Sequence, residues 1–320
     1  MPTTVNISTS YAGEFAGKYI AAALLSAPTI DKGGVTVMPN VKFKSVVKKV
    51  ATDANLIKDA SCDFTPTGTV ALTERVIQPK ELQVNLNLCK STFASDWEAI
   101  SMGYSAFDTL PKTFSDFLIA HVSEKVAAAT EASIWTGIGA TSGQFAGFGS
   151  IVSTDALLPA AQEVAGTSAI SAAATVITEL GKIVDAIPAT VYGKEDLKIY
   201  VPSGVARAYV RALGGFSVAA TSNAGTNAQG TQWYTNGELS FDGIPLFVVN
   251  GLAANTAICA QSSNLYFGTG LMSDMSEVQV LDTSVTLGDK NVRVIMRYTA
   301  GVQIGAIEDV VTYGIPNAAN

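Results

Sequence analysis

The stretch 113-TFSDFLIAHVSEKVAAATEASIWT-136 decides how the rest of the chain is read. It predicts one long helix between two regions patterned as strand, loop or short helix. Thr113 and Asp116 form a T-x-x-D box behind Pro111, so a side-chain oxygen can satisfy an orphan amide while a carboxylate sits at the positive helix end. Gly137 and Gly139 follow the last turn, and glycine leaves a helix readily because it accepts positive φ. Phe114, Phe117, Leu118, His121, Val122, Val126, Ala129, Ala132 and Trp135 recur at spacings of three and four, which places them on one face. A helix of this length spans about 35 Å, a spine on which sheets can be laid.

On the N-terminal side the period changes. Residues 1–12 are polar and β-branched and read as an extended arm, and Gly13 to Ala27 reads as a short helix that Pro28 ends. Val35 to Val50 alternates, with Val41, Phe43, Ser45 and Val47 opposite Lys42, Lys44, Val46 and Lys48. Glu81 to Leu88 alternates too, and the two runs are expected to be the arms of one long hairpin with an elaborated tip. A two-stranded ribbon is marginal in water unless its apolar face is covered. No neighbouring stretch supplies the cover, so the hairpin is expected to lie on another molecule. Six lysines and one aspartate between Lys32 and Lys58 suit an acidic neighbour. The alternative is a solvated edge strand that lysines protect from further pairing.

Ser95-Asp96-Trp97-Glu98 opens a short helix by the same capping logic. Beyond the spine, a glycine-rich, turn-rich connector leads to a helix over Ser168–Ile187. A strand at Leu197–Val201 follows, then a helix that Ser203 caps. Gly214 to Gln232 has the Gly, Ser, Thr and Asn content of a mobile loop. From Phe241 to Tyr313 strands return, at 244–249, 257–259, 278–285, 292–298 and 302–307, with Ala300-Gly301 expected to interrupt the last two.

The chain of 320 residues is long enough for about two domains, with 48% hydrophobic and only 15% charged residues. Soluble chains average about 25% charged, so much of this surface is neutral or covered by partners. The net charge of −7 argues against tight nucleic-acid binding, which clustered Lys and Arg drive through counterion release. Three cysteines, Cys62, Cys89 and Cys259, form no CxxC and leave one over, which fits a reducing compartment. Tyr19–Leu25 has the outline of a signal sequence, but Lys18 alone precedes it and Glu14 stands beside it, so cytosolic synthesis is expected. No apolar run reaches the roughly 18 residues a membrane span needs.

Nothing here converges on catalysis. The single histidine, His121, falls on the apolar helix face and reads as a core or interface residue. G-x-S-x-G and GxxxxGK[ST] are absent, and Gly137-Ile138-Gly139 lacks the strand and spacing of a dinucleotide loop. Asp282, Asp289, Glu308 and Asp309 are scattered rather than spaced as a calcium loop. No catalytic residue, cofactor or metal is assigned. Lys42, Lys44, Lys48, Lys49 and Lys58 are inter-subunit contact candidates, read as salt-bridging or solvated. Cys62 and Cys89 flank the hairpin tip and its return arm. They can meet as a disulfide if their Cα atoms come within about 7 Å, and are otherwise buried thiols.

The order of these parts resembles the major capsid proteins of tailed bacteriophages (Caudoviricetes) with the HK97-type fold. Phe241-Asp242-Gly243-Ile244-Pro245, Asn264-Leu265-Tyr266-Phe267-Gly268-Thr269 and Arg297-Tyr298-Thr299-Ala300-Gly301-Val302-Gln303 carry most of the likeness. The resemblance implies an α+β fold: an N-terminal arm at 1–27, an extended β-hairpin or E-loop at 28–90, and a P-domain at 91–166 built on the spine helix 113–136. An inserted A-domain at 167–261 and P-domain return strands at 262–320 complete it. It implies a virion structural protein, made in the bacterial host cytoplasm, that self-assembles through hexamers and pentamers into an icosahedral capsid. The packaged double-stranded DNA would be enclosed without specific binding and without a membrane. A separate scaffolding protein, a portal and a decoration protein are the implied partners. An encapsulin-type nanocompartment shares the fold, and a β-rich hydrolase is the rival from another class, which would need a pocket gathering several carboxylates.

Overall fold

The computed structural model describes residues 28–41, 43–52, 57–59, 62, 68–89, 112–166, 168–213, 239–270, 278–283 and 288–319. The expected arm and helix at 1–27, the Ser95 box, Gly214–Gln232 and the side chains of Thr113, Phe114, Asp116, Phe117 and Leu118 lie outside the described residues.

The chain opens with α1 (Pro28–Asp31), β1 (Thr36–Met38), β2 (Ser45–Thr52), β3 (Val70–Ile77) and β4 (Lys80–Cys89). The long helix α2 (Lys112–Thr136) is followed by a short α3 (Phe148–Val152) and by β5 (Glu163–Val164). Then come α4 (Val176–Asp185), β6 (Leu197–Pro202), α5 (Ser203–Leu213), β7 (Leu239–Phe241), β8 (Ile244–Val249) and β9 (Ala257–Gln261). The chain closes with β10 (Leu265–Thr269), β11 (Gln279–Asp282), β12 (Asn291–Ile304) and β13 (Val311–Tyr313).

Three sheets result. In the first, the long strand β12 carries β4 along one edge, and β11 then β10 along the other, with β1 parallel to β10. The second is six-stranded in the order β5-β13-β9-β6-β8-β7. The third is the ribbon β2-β3. The hairpin therefore closes differently from the sequence expectation. The partner of β2 is β3, while the Glu81–Leu88 run within β4 pairs with β12, Leu88 opposite Val292 and Leu82 opposite Tyr298. Alternation alone could not choose between two strands of similar pattern, and the turn at Gln78-Pro79 sends the chain from the ribbon into the body.

A second expectation fails at Ala300-Gly301, which does not interrupt β12. A Cβ on Gly301 would lie 2.9 Å from Pro79 Cα and 3.1 Å from the Gln78 carbonyl oxygen, so glycine here admits a crossing backbone rather than ending the strand. The signature Phe241-Asp242-Gly243-Ile244 has a local cause. Asp242 and Gly243 both take positive φ, 50° and 79°, as the two central residues of a tight hairpin turn between β7 and β8.

The second sheet is buried on both faces, which explains why its strands read as continuous apolar runs. Along β6, Ile199 and Val201 pack toward α4 and α5 in one core, while Tyr200 joins the other core beneath α2. In β9, Cys259 faces the first of these and Ile258 and Ala260 the second. The end of α2 is the meeting point: Trp135 lies 5.3 Å from the Phe148 ring and 4.9 Å from Tyr200.

The α2 face also differs from the spacing argument. Val122, Val126 and Trp135 are buried as expected, but Ala129 and Ala132 are exposed, and Thr130, Glu131, Ser133 and Ile134 are buried instead. Alanine is neutral between surface and core, and the polar residues are buried because they find partners. The helix expected over 168–187 shortens to α4, preceded by turns that still bury Ile170. Among the described residues, no helix is long and apolar enough to cross a membrane.

Candidate assembly surface

The ribbon β2-β3 sorts its side chains by face, because residues directly opposite in an antiparallel pair point the same way. On one face lie Val46 with Val76, Lys48 with Glu74, and Val50 with Leu72, with Val70 beyond them on β3. On the other lie Ser45 with Ile77, Val47 with Arg75, and Lys49 with Thr73.

The second face turns at its base toward the body of the same chain. Ile77 is fully buried, and Gly268 in β10 makes room for it, since a Cβ there would meet Ile77 Cδ1 at 2.7 Å. Arg75 Nη1 donates to Asp155 Oδ2 at 2.5 Å, Lys49 Nζ to Glu308 Oε2 at 2.8 Å, and Gln303 Nε2 to the Val76 carbonyl at 2.9 Å. Burial raises the pKa of both carboxyls, but the hydrogen bond and charge of Arg75 on Asp155, and of Lys49 on Glu308, outweigh it and hold each below its ordinary value.

The first face has the opposite character. Val50, Val70 and Leu72 are 62%, 69% and 57% exposed, and Val46 and Val76 are exposed as well. Outside the strands, Phe43 and Ile57 are exposed as well. Lys48 and Glu74 form the ion pair on this face, at 3.7 Å with both side chains largely in solvent, a geometry that contributes at most about 1 kcal/mol. Full burial of one Val or Leu contributes about 1.5–3 kcal/mol, so cover by a partner would outweigh that pair several times over.

The lysine candidates therefore separate. Lys49 is engaged within its own chain, Lys48 sits across from Glu74, Lys44 Nζ lies 5.5 Å from the Phe43 ring centroid, and Lys58 is exposed. Lys42 lies outside the described residues. Cys62 and Cys89 are exposed thiols, which corrects the expectation of buried ones, and Cys89 ends β4 opposite Asn291 in the first sheet. His121 is half-buried on α2. Sequence reasoning missed Arg75, Asp155 and Glu308, which hold the ribbon to the body. The pairs span 80 and 259 positions, and no local pattern announces them.

No family model and no curated protein matches the sequence. Solved structures do match along nearly its whole length. A chain of the capsid of an empty GTA particle, computed with C5 symmetry, superposes with a TM-score of 0.59 at 16% identity, covering 92% of this chain and 98% of that one. A chain from Mycobacterium phage Adephagia gives 0.55 at 14%, covering 98% and 95%. A capsid chain of the cyanophage P-SCSP1u gives 0.55 at 14%, covering 97% and 94%. The chain has the α+β, HK97-like fold of phage capsid proteins.

Proposed function

We propose that this chain is the major capsid protein of a tailed phage, a structural subunit that closes through hexamers and pentamers into an icosahedral shell around double-stranded DNA. The observation that carries the reading is the ribbon, whose charged face is clamped to its own body while its apolar face is left in solvent. A subunit that ends its own folding with such a face needs a neighbour. A head-to-tail contact of this kind makes closed rings when the rotation closes, and an adaptable ribbon lets one sequence serve rings of five and six.

On this reading residues 1–27 are the N-terminal arm, 28–90 the E-loop segment, 91–166 and 262–320 the P-domain, and 167–261 the A-domain. The moving part of the E-loop narrows to 45–77, because β4 is a strand of the P-domain sheet. The chain carries no catalytic role. The net charge of −7 lets packed DNA slide over the inner wall without specific binding. Scaffolding, portal and decoration proteins are the expected partners, and the virion is the expected location after synthesis in the host cytoplasm.

The test is negative-stain electron microscopy with light scattering on the full chain expressed alone and with candidate scaffolding protein. Rings, tubes or closed shells are expected. A species that stays monomeric across concentration and salt, with scaffolding present, would overturn the reading.

A further inference from the structure

The glycine-rich connector between α2 and α3 reads 137-GIGATSGQFAG-147 and contains no charged residue. A phosphate loop aims backbone N–H groups at an anion. Here carbonyl oxygens converge instead. Those of Gly139, Thr141 and Gln144 accept from Lys80 Nζ at 3.0, 3.2 and 2.7 Å. A lysine ammonium has three N–H donors, so these bonds use all of them.

The connector closes around that point with bonds of its own. Thr141 N donates to the Ile138 carbonyl at 2.9 Å, Gln144 N to the Thr141 carbonyl at 3.3 Å, and Gly147 N to the Gly137 carbonyl at 2.9 Å. Ile138 N donates to Gln144 Oε1 at 3.1 Å. Gly143 takes a φ of 79°, the left-handed conformation that turns the chain back. Residues 138–143 are all exposed, so apolar burial does not hold the loop in this shape. Converging carbonyl dipoles repel one another unless a positive charge sits among them.

That charge arrives from a distant part of the chain, 59 to 64 positions away. Lys80 begins β4 opposite Ala300 of β12, directly after Pro79, whose Cα lies against Gly301. One ammonium therefore ties the exit of the long helix to the point where the ribbon's chain enters the first sheet.

The donor set also selects the kind of cation. Ca²⁺ and Mg²⁺ take oxygens at about 2.3–2.6 Å and 2.0–2.1 Å and favour carboxylates. This cradle is wider and carries no negative charge. Neutral backbone carbonyls are the ligands that replace the hydration shell of potassium.

We propose that the connector 137–147 is a binding loop for a small monovalent cation of the ammonium and potassium class, with the ligand supplied in cis by Lys80. Removing the lysine side chain leaves a vacated cradle that a free ion of that class can fill, and the order of the loop then depends on the salt.

Hydrogen exchange by mass spectrometry on the unassembled full chain tests this, with ionic strength fixed at about 0.1 M by choline, potassium, ammonium or magnesium chloride. In wild type the peptide covering 137–147 should exchange alike in all four salts. In Lys80→Ala it should exchange about tenfold faster in choline and magnesium chloride, and recover most of its protection in potassium or ammonium chloride. Lys80→Met keeps the length without the charge and should exchange fast in every salt. A Lys80→Ala chain that folds only in potassium or ammonium chloride would support the proposal in the same way. No acceleration in Lys80→Ala, acceleration that potassium and ammonium fail to reverse, equal recovery in magnesium chloride, or failure to fold in any of the salts would overturn it. The readout does not depend on shell formation, so it can fail while the capsid reading stands, or succeed while that reading falls.

Discussion

Strand β12 and the ribbon β2-β3 alternate with the same period of two and end in opposite environments. In β12 the apolar set Val292, Val294, Met296, Tyr298 and Ala300 faces the core, and Arg293 and Arg297 face solvent. In the ribbon the apolar set Val46, Val50, Val70, Leu72 and Val76 faces solvent, and Arg75 and Lys49 reach back to the body. The difference teaches that alternation specifies a face in need of cover without specifying what supplies the cover. For β12 it is α2 and its surroundings in the same chain. For the ribbon none of the described residues does so.

Substitutions sharpen the contrast when the thermal stability of the unassembled subunit is set beside its ability to assemble. The largest loss of subunit stability is expected from Phe267→Ala in β10. That ring is fully buried and packs edge-on at 6.5 Å from Phe145, and its removal should cost about 3–5 kcal/mol, read as a lowered Tm by circular dichroism. A variant that melts like wild type would mean the core is not where we place it.

Arg75→Ala comes next, with about 1.5–3 kcal/mol expected, because it removes a charged hydrogen bond between side chains that are 17% and 18% exposed. The same contact predicts a pH dependence. Asp155 and Glu308 sit below their ordinary values of 3.8 and 4.5, so their contribution is complete above those values and is lost as pH falls through the lower folded ones. Acid below about pH 4 should release the base of the ribbon, read as faster proteolysis within 45–77, and Asp155→Asn should flatten that dependence near the bottom of the range. Protection that does not change with pH would remove the Arg75–Asp155 pair from the hinge.

Lys49→Ala should cost no more than about 1 kcal/mol, since both partners of its ion pair are substantially solvated. The smallest effect on the subunit is expected from Val50→Lys with Leu72→Glu, an opposite-charge pair across the ribbon, which should leave its stability within about 0.5 kcal/mol of wild type while abolishing assembly seen by light scattering. If the subunit itself unfolds, the outer face is covered within the chain and the comparison collapses.

Much of the architecture was legible because local signals agreed. The long helix was found to within a residue at its start, and the doubly buried strands 197–202, 244–249 and 257–261 were marked by short apolar runs between turn residues. The Asp242-Gly243 turn followed from backbone chemistry at two adjacent positions. What failed was pairing. β2 was matched to β4 because both alternate, whereas β2 takes the nearer strand, Thr52 opposite Val70, and β4 takes one far along the chain, Leu88 opposite Val292. Glycine misled at Gly301 because a strand break and a close backbone crossing ask for the same residue. The candidate site was half legible. That the hairpin would need an outside partner followed from the instability of lone ribbons, but which residues hold it to its own body did not, since Arg75–Asp155 and Lys49–Glu308 have no local signature.

By itself the sequence determined the elements, their order, the acidic low-charge surface and the existence of one apolar face too many, because these depend on propensity, period and composition. Tertiary structure alone decided which strands meet and which ribbon face turns outward. It also decided that Thr29, Glu131 and Trp135, far apart in sequence, meet in one buried hydrogen-bonded cluster. Those outcomes depend on the free energy of long-range contacts, which no window of neighbouring residues contains.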